Sequence, residues 1–231
     1  MTTPTTNAKV LMIVTSHAQL GTSGTKTGFW LEELAAPYYE LLEAGFAIDI
    51  ASPHGGTPPA DPKSASSDSS TVKRFLGDAE AAEKLAATMR LDGPLGDYAA
   101  YFVVGGHGVM WDLASSAELA ALLGRAHDEG RVVAAVCHGP AALSLVKDAS
   151  GAPIVKGRRV AGFSNEEEEA VGLTGVVPFA LETRLRELGG RYERGPTWSS
   201  FAVRDGKLVT GQNPQSSAAV AKLVVEALRA S

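Results

Sequence analysis

Val132-Val133-Ala134-Ala135-Val136-Cys137-His138-Gly139-Pro140-Ala141-Ala142-Leu143 holds the only cysteine of the chain. The apolar, β-branched run before Cys137 predicts a buried strand, and the small residues after it predict the start of a helix. Cys137 then falls on the sharp turn between them. Such a turn pushes one side chain out at the top of an open sheet. It also sets that side chain among helix amides, which lower a thiol's pKa and can hold an oxyanion. A free cysteine is equally often a small buried apolar residue. A nucleophile and an inert core thiol both fit this turn.

Outward from it, the strand 131–136 has three predicted partners, at 9–15, 46–51 and 98–104. The last is closed by Gly105-Gly106-His107-Gly108. Leu31, Leu34, Ala35, Tyr38, Leu41 and Leu42 recur at helical spacing within 28–44, and Gly45 ends that helix. Further helices are predicted at 78–89, 114–128, 179–188 and 215–230, the last opened by Asn213-Pro214. Short strands are predicted at 158–160 and 202–209, with a hairpin signal at Arg204-Asp205-Gly206-Lys207. The stretch 52–71, rich in Pro, Ser, Gly and Asp, predicts a long loop. Strands alternating with helices, without repeats or a linker, predict one α/β domain over 1–231, its sheet mostly parallel and covered on both faces. Ligands bind such sheets beyond the carboxyl ends of the strands. Both the glycine cluster at 105–108 and Cys137 fall there.

With 21 basic and 26 acidic residues the net charge is −5, so the basic stripe of a nucleic-acid binder is not expected. A single cysteine excludes an internal disulfide and suits a reducing compartment. The Thr-rich start, 1–8, has no basic segment followed by an apolar one, and no apolar run is long enough to span a bilayer. A cytoplasmic protein with no membrane partner is expected.

Other residues carry two readings each. Glu33 lies four residues before Pro37, which cannot donate to the Glu33 carbonyl; a bend there would turn Glu33 inward as a proton relay of raised pKa, against the usual exposed helical glutamate. Gly105 and Gly106 either admit a ligand to the backbone or serve a tight turn. His138 is a base if a carboxylate orients it, or a packed core histidine. Glu166, Glu167, Glu168 and Glu169 read as a solvated helix start, with Asn165 and Glu168 at capping spacing. His17, Trp30, His107 and Trp111 are candidates to line a pocket. No metal-ligand pair stands at helical or hairpin spacing, and no required metal is expected.

Taken together, the motifs resemble the ThiJ/PfpI superfamily, and within it the glutathione-independent glyoxalase (glyoxalase III) branch, whose members are also called heat-shock chaperones and protein deglycases. The resemblance rests on the Thr27-to-Pro37 segment (Thr27-Gly28-Phe29-Trp30-Leu31-Glu32-Glu33-Leu34-Ala35-Ala36-Pro37) and on Ala51-Ser52-Pro53-His54-Gly55-Gly56 and Gly105-Gly106-His107-Gly108. It continues through Ala135-Val136-Cys137-His138-Gly139-Pro140, Gly162-Phe163-Ser164-Asn165-Glu166-Glu167 and Thr210-Gly211-Gln212-Asn213-Pro214. It implies a flavodoxin-like sandwich and a homodimer. Cys137 matches the family nucleophile, Glu33 the acid that moves protons, and His138 the histidine of the Cys-His pair. Glu168 falls where the branch places the carboxylate orienting that histidine, with Glu167 and Glu169 as neighbours within one position. The amides of Gly106 and His138 would form the oxyanion hole, with His107 and Trp111 beside the substrate.

The resemblance implies a cofactor-free conversion of a small 2-oxoaldehyde such as methylglyoxal to a 2-hydroxy acid, D-lactate, through a cysteine hemithioacetal. The alternatives are a holdase chaperone, a redox-sensing stress protein, and a peptidase or amidohydrolase of the same superfamily. No histidine follows His138, so the C-terminal histidine–glutamate pair of related amidotransferases is absent.

Overall fold

The computed structural model describes residues 8–66 and 68–230. Residues 1–7, on which the reading of the N-terminus mostly rested, lie outside them, as does Ser67 of the 52–71 stretch. β1 (Lys9–Ile13) leads into α1 (Leu31–Glu43) and β2 (Ala47–Ser52). Three short helices follow, α2 (Pro62–Ala65), α3 (Ser70–Gly77) and α4 (Ala79–Ala86), then β3 (Met89–Arg90) and β4 (Ala100–Val103). α5 (Ala117–Asp128) returns the chain to β5 (Val132–Val136). Beyond it come β6 (Arg159–Val160), α6 (Asn165–Ala170), α7 (Leu181–Glu187), β7 (Arg191–Tyr192), β8 (Ala202–Asp205), β9 (Leu208–Gly211) and α8 (Ser217–Arg229).

The main sheet runs β3-β2-β1-β4-β5-β9-β8, and β6 pairs β7 in a small second sheet. All neighbours in the main sheet are parallel except the β8–β9 hairpin. β4 and β5 are buried along their whole length, so neither alternates apolar with polar, as covered faces require. The crossover β1-α1-β2 moves one way along the sheet and β4-α5-β5 the other. Right-handed crossovers then put α1 and α5 on opposite faces. The reversal between β1 and β4 opens a crevice beyond their carboxyl ends, the flavodoxin-like arrangement.

Where the structure departs from the sequence reading, local chemistry accounts for it. The 52–71 stretch is only partly loop. It contains α2, and Ser69 caps α3 by accepting from the Val72 amide at 3.3 Å. Val72 and Phe75 anchor α3 in the core, Phe75 packing edge-on against Tyr38 and Tyr39. Asp78 caps α4 through the amides of Glu80 and Ala81, so that helix starts at residue 79. Residues 28–30 precede α1 as extended chain, with the Phe29 amide donating to Pro59 O and the Trp30 amide to Gly105 O. Asn213-Pro214 opens a 3-10 turn (Pro214–Ser216) ahead of α8.

After Cys137 the expected helix is present as a 3-10 helix, Gly139–Leu145. Its first residue packs tightly against β4. A Cβ on Gly139 would lie 2.5 Å from Val103 O in β4. Gly139→Ala is therefore expected to destabilise the fold by roughly 2–4 kcal/mol, because the clash is with backbone that cannot move aside. Gly77→Ala is the control. It has open space around it and an ordinary φ, and should be neutral or stabilising by up to about 1 kcal/mol. Urea denaturation of the two variants checks both; equal midpoints would show that the elbow tolerates a side chain.

Candidate active site

Four separate segments converge at the crevice. Cys137 follows β5 directly with φ +59°, a left-handed conformation that a side chain adopts only at a cost of about 1–3 kcal/mol. Its backbone is clamped on both sides: the amide donates to Gly211 O at 3.0 Å, and the carbonyl accepts from the Phe163 amide at 2.8 Å. The thiol emerges at the floor of a cleft of about 500 Å³.

His138 Nδ1 stands 3.4 Å from Cys137 Sγ, and its Nε2 stands 2.8 Å from Glu168 Oε2. The other oxygen of Glu168 lies 2.9 Å from His107 Nε2. One carboxylate thus serves two imidazoles whose ring centres are 4.0 Å apart. Since an ionised carboxylate only accepts, the network assigns a proton to Nε2 of His138 and leaves Nδ1 as the acceptor facing the thiol. Burial, reinforced by His107, pulls His138 down to about 4, so the ring is neutral at neutral pH. Burial alone would raise Glu168, but the two imidazoles outweigh it and bring the group to about 2. His107, His138 and Glu168 also offer ligand atoms within 4.8 Å of one another, a set able to hold a metal ion. It was invisible in the sequence because the three residues come from three separate segments of the chain, about 30 positions apart.

Glu33 occupies the other side of the thiol. It is fully buried on α1, and neither of its oxygens makes a hydrogen bond of full geometry among the described residues. Its nearest polar neighbours are the Cys137 thiol and the Gly105 amide. Burial pushes its carboxyl well above the ordinary range. Pro37 sits inside α1 as the sequence indicated. Gly105 is required here, because a Cβ on it would strike Glu33 Oε2 and Val136 O. Gly106, with φ +103°, is required as well, its missing Cβ leaving room for Phe29 and Trp30.

The acidified thiol expected from the elbow is not what these surroundings produce. Burial pushes Cys137 up, and an ionised Glu33 pushes it further; the His138 amide acts in the expected direction but is outweighed. Cys137 and Glu33 form a pair that holds on to a proton.

The acidic run resolves into three fates. The cap is one residue earlier than the spacing of Asn165 and Glu168 suggested: Ser164 Oγ accepts from the Glu167 amide, and Glu167 Oε2 accepts from the Ser164 amide. Glu167 is consumed by the interior. Its Oε1 accepts from Gln212 Nε2, Asn213 Nδ2 and the Trp198 amide at 2.8–3.0 Å. Glu169 is exposed. Glu168 alone faces the histidines. Of the aromatic candidates, Trp30 and His107 line the cleft. Trp111 does not: it stacks on His17 with ring centres 5.1 Å apart, and His17 Nε2 is bonded to Gln19 O. The sequence reading missed Phe163 and Trp198, which also line the cleft, Phe163 with its ring centre 6.0 Å from that of His107. The positive φ of Trp198, +61°, has no sequence signature.

These shifts set the pH dependence of stability. Unfolded, His138 binds a proton below about 6.5, but folded only below about 4. Stability is therefore lost as pH falls through that window, and Glu168 extends the loss from 4.5 down towards 2. Glu33 acts in the opposite sense. Its raised folded pKa gives stability that is complete below 4.5 and declines as pH rises above it. In a Glu33→Gln background, which removes the opposing group, urea midpoints should fall from pH 7 to 4, and adding His138→Asn should flatten that fall; parallel curves would remove His138 as its source. Glu33→Gln should be more stable than wild type at pH 8, with the gap closing towards pH 4.

The pattern that defines the DJ-1/PfpI family matches residues 25–227. Glyoxalase 3 of Candida albicans is 32% identical over 240 aligned positions, which take in 95% of this chain and 98% of that protein. The crystal structure of glyoxalase III from Candida albicans superposes with a TM-score of 0.88 at 30% identity, over 95% of this chain and 97% of that one. The Rapid Encystment Protein 24 KDa of Francisella tularensis superposes with a TM-score of 0.92 at 40% identity, over 96% of this chain and 99% of that one. An elbow cysteine at the carboxyl end of β5, a buried acid on α1 and a match running almost from end to end lead to one conclusion: this chain belongs to the DJ-1/PfpI family.

Proposed function

We propose that the protein is a glutathione-independent glyoxalase, converting small 2-oxoaldehydes such as methylglyoxal into 2-hydroxy acids. The observation that carries this reading is the position of Cys137 Sγ between an acceptor nitrogen of His138 and a buried carboxyl, Glu33, whose nearest polar neighbours are that thiol and the Gly105 amide. A buried carboxyl without a hydrogen bond is costly, and a proton-transfer role accounts for its retention.

In this reading His138 Nδ1 takes the Cys137 proton as sulfur attacks the aldehyde carbon, and Glu168 stabilises the imidazolium that forms. The amides of Gly106 and His138 face the developing oxyanion. Glu33, in its ionised form, then takes the proton from C1 and returns it to C2 through an enediol, while His138 carries the hydroxyl proton from the C1 oxygen to the C2 oxygen; a carboxyl whose pKa burial has raised is the stronger base for this once ionised. Water releases the 2-hydroxy acid from the thioester, D-lactate from methylglyoxal, and no cofactor takes part. The homodimer and the cytoplasmic location belong to this proposal on the family resemblance and the lone cysteine. Among the described residues no helix is long and apolar enough to cross a membrane. The redox-sensor alternative is the weaker one, because Cys137 is buried and its thiol is pushed up, whereas sensors expose an acidic thiol.

Methylglyoxal consumption without glutathione, with the lactate enantiomer identified, tests the proposal. Cys137→Ser should lose at least about 10³-fold in kcat/KM, and Glu33→Gln about 10²- to 10⁴-fold with the fold retained. Near-normal turnover in either would remove that residue from the mechanism. Because the thiol is raised, kcat/KM of wild type should climb with pH through neutrality. A plateau already reached at pH 6 would restore the acidified thiol.

A further inference from the structure

We infer that the wall formed by Phe163, Trp198 and Trp30 is an aromatic subsite, and that the preferred substrates are 2-oxoaldehydes bearing a planar apolar group on the keto carbon. The inference rests on the glyoxalase reading and names the substrate class of that same site. A cleft of about 500 Å³ is far larger than a molecule of five non-hydrogen atoms such as methylglyoxal needs. The surplus is apolar. Its apolar lining includes Phe163, Trp198, Ala36, Val171, Pro214 and Ala218.

The aromatic wall begins at the reacting groups. The Phe163 ring lies 4.4 Å from His138 and 5.8 Å from Trp198, centre to centre. The wall is also built rather than incidental. Among the described residues only Cys137 and Trp198 are non-glycine residues with positive φ, and both face this cleft. A bulky residue pays a conformational penalty in that region. The buried Glu167 carboxylate holds Trp198 there, accepting its amide at 3.0 Å while also binding Gln212 and Asn213. Val171 and Trp198 stay 39% and 41% exposed at the mouth, where a ligand group would cover them.

Charge narrows the class further. No lysine or arginine lines the cleft among the described residues, whereas Glu32 and Ser69, hydrogen-bonded to each other, stand on its rim. A phosphate or carboxylate on the substituent would find no counter-ion. The substituent is therefore neutral and apolar. The reaction is unchanged and balanced. An arylglyoxal and one water give the aryl 2-hydroxy acid, C1 being oxidised and C2 reduced by the internal hydrogen shift, with no external oxidant.

The test compares phenylglyoxal with methylglyoxal as substrates, without glutathione, for wild type and Trp198→Gly. Glycine accepts φ +61° freely, so this variant removes the ring without straining the fold. Wild type should favour phenylglyoxal by roughly ten-fold or more in kcat/KM, and Trp198→Gly should lose most of that preference through KM. Methylglyoxal turned over as well as phenylglyoxal by wild type would overturn the subsite and leave the glyoxalase reading standing. A ratio unmoved in Trp198→Gly would overturn it also. Consumption of neither aldehyde would overturn both.

Discussion

The site depends on one strained residue. Cys137 is held at φ +59° where β5 ends, and every other functional group is arranged around that turn. The strain is sustained by its surroundings: β9 accepts the cysteine amide, the segment before α6 donates to its carbonyl, and Gly139 lies against β4. Parallel strands buried on both faces give the rigidity this needs, since a packed interior does not relax around a single left-handed residue. Relaxing the turn would swing Sγ away from both His138 and Glu33.

Three carboxylates share the interior around the thiol, and packing gives each a different task. Glu33 has lost water and gained no full hydrogen bond, so its proton is held tightly. Glu168 has lost water but gained two imidazoles, so it stays ionised. Glu167 is saturated by donors from three chain segments and joins the wall of the cleft to the helix that carries Glu168. Charge type alone says nothing about these roles; the number and kind of donors within reach decides them.

Much of this was legible in the residue order. The buried runs at β1, β2, β4 and β5 and the apolar spacing of α1 are local patterns, and local patterns survive folding when a sheet is covered on both sides. Cys137, His138 and Glu33 were legible for a similar reason, because an elbow and a proline inside a helix each leave a mark within a few residues. The close approach of Gly139 to Val103 was not, since it joins two strands' ends that are more than 30 residues apart in the chain. Nor was α3, whose two buried anchors are set among polar residues.

The sequence by itself determined the class of sheet, the end of it at which ligands bind, and the elbow with its thiol. It could not choose among Glu167, Glu168 and Glu169, because adjacent positions on a helix differ by a rotation that only the packed neighbours fix. The tertiary structure chose Glu168, brought His107 to share it, turned Trp111 away onto His17 and raised Trp198 as a wall. It also reversed the sign of the thiol shift. Amide proximity is a local property of the turn, whereas desolvation and the facing Glu33 arise only when distant segments close over the site.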